Sequence, residues 1–240
     1  MIQTTGSVLI TGAGSGIGRA TALELARVGM FVVATGRRAE PLEAVATEIR
    51  GLGGTAAAYQ LDVRDSQAVL HVVREVTKAS GPIDVLVANA GIHDASNVLD
   101  GDPDWWRQVV ETNVLGVMYA CHAVLPGMYE RKTGHIVILS STAGRVTNAG
   151  EPVYLATKHA IAGFGDALRQ AIAPRGIRVT LVEPGVVNTA MAMNPFAAEL
   201  TKAFSPLAPE DVARVIRFAI EQPPNCSVNE VVVRPTGQVL

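Results

Sequence analysis

Apolar positions along the chain come in two rhythms. Short β-branched runs such as Val8-Leu9-Ile10 alternate with longer stretches in which apolar residues recur every three or four positions. A short continuous apolar run is the signature of a strand buried on both faces, whereas the longer period is that of an amphipathic helix. Strands are therefore predicted at Ser7–Thr11, Phe31–Thr35, Ala56–Leu61, Asp84–Ala88, His135–Ser140, Arg178–Glu183 and Glu230–Val233. Helices are predicted between them, at about Ile17–Val28, Ala39–Arg50, Ser66–Ala79, Pro103–Glu130, Val153–Ala173 and Pro209–Ile220. Pro103 and Pro209 suit a first helical turn, and Gly29, Gly51 and Gly176 follow expected helix ends.

Strand–helix–strand repetition predicts an α/β fold, a parallel sheet with helices on both faces. Residues 1–240 carry no low-complexity linker, so a single domain is expected. The alternation breaks at about 189–209, a stretch rich in Ala, Met, Phe and Pro. It fits a substrate lid, in which Met191, Met193 and Phe196 would favour a partly apolar substrate, and fits a plain surface helix pair equally well.

Composition narrows the function classes. Of 240 residues, 48% are hydrophobic and 18% charged, enough for a large core and incompatible with wholesale disorder. The net charge of −2 carries no basic excess for nucleic acid. Mean hydropathy is +0.27, yet no continuous apolar run reaches the roughly 18 residues of a membrane helix, so no membrane partner is expected. Cys121 and Cys226 lie far apart, without metal or disulfide spacing. With the first strand close to Met1, no secretory leader is expected and the cytosol is the predicted location. The histidines lack metal-ligand spacing, and no metal is expected. His93 is placed to face a substrate mouth, and Trp105 and Trp106 suit packing.

The first strand runs into Thr11-Gly12-Ala13-Gly14-Ser15-Gly16-Ile17-Gly18 and then a helix. Glycines there let the backbone approach a phosphate at the helix N-terminus. The spacing is T-G-x-x-x-G-x-G, distinct from a P-loop and from a nucleophile elbow, which with the absence of a placed histidine disfavours a serine hydrolase using Ser141. The second strand ends in Thr35-Gly36-Arg37-Arg38. A carboxylate at that position accepts from a ribose 2′-hydroxyl, whereas a guanidinium pairs with a 2′-phosphate. The arginines therefore point to NADP(H), with NAD(H) the alternative. Tyr154 and Lys158 share one face of a predicted helix, where an ammonium favours the phenolate and lowers the tyrosine pKa. Ser140-Ser141 closes the fifth strand, at the edge where parallel sheets bind ligands, and its hydroxyl can polarise a carbonyl.

Taken in order, Thr11-Gly12-x-x-x-Gly16-x-Gly18, Asp62-Val63, Asn89-Ala90-Gly91, Asn113, Ser141, Tyr154-x-x-x-Lys158 and Pro184-Gly185 resemble the short-chain dehydrogenase/reductase superfamily across essentially the whole chain. The resemblance implies a three-layer Rossmann-type fold with seven parallel strands in the order 3-2-1-4-5-6-7, and a homotetramer or dimer. It implies Tyr154 as general acid–base and Lys158 as the group that lowers its pKa and holds the nicotinamide ribose. Ser141 would hold the substrate oxygen, and Asn113 would position a water in the proton relay. Gly12, Ser15, Gly16, Ile17 and Gly18 would cradle the dinucleotide, Arg37 and Arg38 the 2′-phosphate, and Asp62 and Val63 the adenine. Asn89, Ala90 and Gly91 would line the cofactor. Pro184, Gly185, Val187 and Thr189 would meet the nicotinamide end.

Two departures from the family pattern stand out: Ala88 precedes Asn89 where many members carry a second asparagine, and Ser15 stands where some NADP(H) members carry a basic residue. Ser141–Val146 and Val231–Thr236 look like the branch containing clavulanic acid and 3-hydroxy acid dehydrogenases. The expected activity is hydride transfer between NADP(H) and a small carbonyl or secondary-alcohol substrate; the rival is a non-catalytic nucleotide sensor on the same fold.

Overall fold

Valine, isoleucine and leucine crowd the strand runs because those runs are covered on both faces. In β1 (Ser7–Thr11) all five residues are buried, and alternate side chains enter opposite cores. Val8 and Ile10 join one cluster with Leu25, Val45 and Ile216. Leu9 joins the other with Leu86, Val124 and Ile161. The computed structural model describes residues 6–147, 150–192, 201 and 203–239.

After β1 the order is α1 (Gly16–Arg27), β2 (Phe31–Gly36), α2 (Ala39–Gly51), β3 (Thr55–Gln60), α3 (Ser66–Ser80) and β4 (Val85–Ala88). The second half runs α4 (Pro103–Val110), a π turn (Glu111–Leu115), α5 (Gly116–Arg131), β5 (Gly134–Leu139), α6 (Pro152–Ile172), β6 (Ile177–Pro184), α7 (Pro209–Ile220) and β7 (Glu230–Val233). The strands form one sheet in the order 3-2-1-4-5-6-7, all pairs parallel. Helix α1 packs on α7, and α3 on α5. The expected strands and their order are present, with no end shifted by more than one residue. The predicted helix at Pro103–Glu130 is instead broken by the π turn, where the Gly116 N–H reaches back to the Glu111 carbonyl.

Local chemistry sets several boundaries. The Asp65 carboxylate accepts the Gln67 and Ala68 N–H groups at the start of α3. Asp102 accepts from Asp104 N–H ahead of α4, with Pro103 in the first turn. The continuous run Pro103–Arg131 is long and apolar enough to cross a membrane, and half of its most apolar 18-residue window is buried inside the domain. Cys121 is buried, Cys226 exposed, and both are free thiols. Met193 and Phe196, with most of the expected lid, lie outside the described residues.

A histidine is buried between β5 and β6. The Thr180 hydroxyl donates to the Val228 carbonyl at 2.6 Å, so it accepts from His135 Nε2–H at 2.8 Å. That assigns the Nε2-protonated tautomer and leaves Nδ1 without a partner among the described residues. Burial, aided by Arg178, pushes the His135 pKa down to about 3. The unfolded chain takes up this proton near pH 6.5 and the folded chain does not. Stability must therefore fall as pH drops through that window, at up to about 1.4 kcal/mol per pH unit. In urea unfolding between about pH 7 and pH 5, the wild-type midpoint should fall more steeply than that of His135→Asn; parallel profiles would show that His135 does not cause the acid sensitivity.

Candidate functional site

The carboxyl ends of β1 and β4 meet at the point where the strand order reverses, and a crevice opens there by construction. Asn89 fastens the two ends. Its side-chain amide donates to the Thr11 carbonyl at 2.9 Å and to the Gly12 carbonyl at 3.3 Å. Thr11 Oγ1 in turn accepts the Asn89 and Ala90 N–H groups, both at 3.0 Å. Gly12 turns the chain with φ +70°, in the left-handed region. A Cβ on Gly18 would lie 2.3 Å from the Gly12 carbonyl oxygen, so only glycine lets α1 start this close to the strand.

This crevice is one end of a cavity of about 850 Å3. Gly12, Ser15, Gly16 and Ile17 line it from the first loop, and Asn89, Ala90 and Gly91 from the β4 end. Gly18 does not line the cavity; it packs beneath the loop against Gly12 and Asn89. Arg37 and Arg38 border the cavity beside the start of α2, both exposed and neither in an ion pair among the described residues. Asp62 and Val63 line the same end. Arg64 grips the Asp62 carboxylate at 2.7 Å and holds its pKa below the usual carboxylate range. The glycine cradle with two unpaired guanidinium groups fits a dinucleotide carrying an extra phosphate.

Across the cavity, β5 and α6 bring Ser141, Tyr154 and Lys158 together. The Ser141 hydroxyl hydrogen-bonds the Tyr154 phenol and lies 3.5 Å from the Pro184 carbonyl. Lys158 Nζ donates to the Leu139 carbonyl at 3.0 Å and lies 5.7 Å from the Tyr154 ring centre. Lys158 is buried and Tyr154 partly buried, and loss of water disfavours both charged forms. It pushes the Tyr154 pKa up to about 12, against the Ser141 hydrogen bond and with help from Glu151, and the Lys158 pKa down to about 8. The lowering of the tyrosine pKa expected from the four-residue spacing is thus outweighed by desolvation.

Asn113 sits in the π turn, 1% exposed, and does not line the cavity. Its side chain accepts the Ile92 N–H and donates to the Ile92 carbonyl, both at 2.8 Å, and also donates to Thr157 Oγ1 at 3.2 Å. It ties the segment after Gly91 to α6. Pro184, Gly185, Val187 and Thr189 form the wall beyond β6, and Thr189 lies against the first loop, 3.1 Å from where a Gly16 Cβ would stand.

His93, a sequence candidate for the substrate mouth, lines the cavity, as do Glu151 and Gln238, which the sequence reading did not single out. His93 Nε2 lies 2.6 Å from Glu151 Oε2, and the imidazole packs edge-on against Tyr154 with centroids 4.6 Å apart. Glu151, three residues ahead of Tyr154 at the start of α6, is legible by helical spacing. Gln238 Oε1 accepts the Val186 N–H at 2.9 Å, a contact across 52 residues with no local signal. Among the described residues no group of three or more His, Cys, Asp or Glu is placed to hold a metal.

The family described as short chain dehydrogenase matches residues 6–200. Over 96% of its length the chain is 37% identical to glycine betaine reductase ATRR of Emericella nidulans, but it spans only 19% of that much longer protein. It is 36% identical to the NADP-dependent 3-hydroxy acid dehydrogenase of Schizosaccharomyces pombe, covering 97% of this chain and 93% of the relative. Among solved structures, the closed form of serine dehydrogenase complexed with NADP+ superposes with a TM-score of 0.88 at 33% identity, covering 95% of this chain and 94% of the other.

The burial of Tyr154 is measurable. A wild-type minus Tyr154→Phe ultraviolet titration of the free protein should show no Tyr154 phenolate until well above the ordinary tyrosine pKa of about 10. A phenolate signal near neutral pH would mean that Lys158 overcomes desolvation.

Proposed function

The chain belongs to the short-chain dehydrogenase family, and on that premise we propose that it interconverts a carbonyl compound and its secondary alcohol with NADP(H), using Tyr154 to move the proton. The observation that carries this reading is the grouping of Ser141, Tyr154 and Lys158 in the same cavity as the glycine cradle. A nicotinamide bound there supplies or accepts the hydride. Ser141 holds the substrate oxygen against the Tyr154 phenol, and Lys158 anchors the cofactor ribose. Asn113 shapes the relay side by fixing the Ile92 backbone. A neutral phenol carries the proton that a forming alkoxide needs.

The 2′-phosphate is assigned to Arg37 and Arg38, which have no carboxylate partner among the described residues and flank the N-terminus of α2. NADP in the names of the relatives supports the same choice. Likeness to the 3-hydroxy acid dehydrogenase branch, carried by Ser141–Val146 and Val231–Thr236, is a likeness of scaffold and does not choose the substrate. The reading includes a homotetramer or dimer, for which exposed Trp105, Val110 and Tyr129 on α4 and α5 offer apolar area, and a cytosolic location suited to two free thiols.

Replacing Tyr154 with Phe should lower kcat by about 10^2- to 10^4-fold with NADPH binding retained, read by steady-state kinetics and by fluorescence of bound NADPH. Full activity in that variant would remove Tyr154 from the chemistry. Arg37→Ala should weaken NADPH by about 1.5–3 kcal/mol, or about 10- to 150-fold in KM, and leave NADH nearly unchanged. Equal losses for both cofactors would refute the phosphate assignment.

A further inference from the structure

The two ends of the cavity differ in charge. Arg37 and Arg38 stand at the adenosine end, and at the opposite end the Glu151 carboxylate, 8% exposed, lies beside His93 against the Tyr154 ring. The imidazole nitrogen facing Glu151 is committed to that carboxylate at 2.6 Å. The other nearby cations are committed as well. Lys158 is buried behind Tyr154 and donates to the Leu139 carbonyl. Arg145, on the loop after β5, pairs with both Glu183 and Glu230. The remaining wall around Tyr154 includes Ile92, Val146, Ala190 and Met191. A substrate carboxylate placed here would lose its water, meet Glu151, and find no uncommitted cation among the described residues.

We propose that the His93–Glu151 pair is a specificity element that selects uncharged carbonyl substrates and rejects free carboxylic acids. The inference rests on the reading of Tyr154 and Ser141 as the reacting pair, since that reading places the substrate beside Glu151. His93 and Glu151 act on the part of the substrate next to the reacting carbon. An uncharged ester or ketone has its apolar body against Ile92, Val146 and Met191 and brings no negative charge toward the Glu151 carboxylate.

A matched pair of probes tests this: methyl 3-oxobutanoate and 3-oxobutanoate, alike except for the charge. With NADPH, kcat/KM for the ester should exceed that for the acid by about tenfold or more, the scale of one like-charge contact at a partly shielded site. Glu151→Gln should narrow the ratio by improving the acid. His93→Gln, which takes away the imidazole and leaves the Glu151 charge, should keep the ratio or widen it. Opposite responses of the two variants distinguish a charge effect from general damage to the fold. An acid used as well as the ester, or a ratio unmoved by Glu151→Gln, overturns the proposal. Calorimetric binding of the two probes to the NADP+ complex separates this inference from the hydride-transfer reading. Ester binding that Glu151→Gln extends to the acid, with no turnover of either, supports the specificity element and refutes the redox reading. Binding of neither probe overturns the specificity element.

Discussion

The arrangement of the site depends on how closely the carboxyl ends of β1 and β4 are held together. The side chain and backbone of Asn89 bind both the carbonyl and the hydroxyl of Thr11, and the same amide reaches Gly12. Neighbouring connections diverge at this point, and these bonds, with that of the Ala90 N–H to Thr11 Oγ1, carry the β1–β4 pairing past the end of the ladder. The fastening lets the first loop turn under the cavity and fixes where Gly91 and Ile92 emerge. Ile92 is the backbone that Asn113 grips, and Asn113 reaches α6 through Thr157. One chain of hydrogen bonds thus runs from the glycine cradle to the helix that carries Tyr154.

Burial works on that helix in two ways. It removes water from Tyr154 and Lys158 and drives their pKa values in opposite directions, toward the neutral form of each. A neutral phenol suits protonation of an alkoxide, whereas alcohol oxidation requires the phenolate.

Much of the architecture was legible from the chain. Buried parallel strands carry unbroken apolar runs, and those runs place β1, β2, β4, β5, β6 and β7 to within two residues. The cofactor end was equally readable because its residues are consecutive: Gly12 to Ile17, Gly36 to Arg38, and Asn89 to Gly91. What escaped was non-local. The π turn carries no local signal, since Glu111-Thr112-Asn113-Val114-Leu115 contains neither glycine nor proline to mark a departure from the helix. Gln238 reaches Val186 from the far end of the chain. Arg145 is placed by partners on β6 and β7, which no spacing rule connects. The Tyr154–Lys158 pair was found by spacing, which says nothing of desolvation.

The π turn has an evolutionary consequence. Each residue advances an α-helix by about 100°, so the extra residue held in Glu111–Leu115 changes the phase between α4 and α5. Val109 faces inward before it, and Val117, Ala120 and Val124 after it. Excising one residue there would straighten the helix but rotate one half by more than a quarter of a circle, turning an apolar stripe toward solvent. Length is therefore constrained across the turn as tightly as side-chain identity is at Asn113, and among descendants of this chain substitutions should accumulate at its other positions while deletions do not.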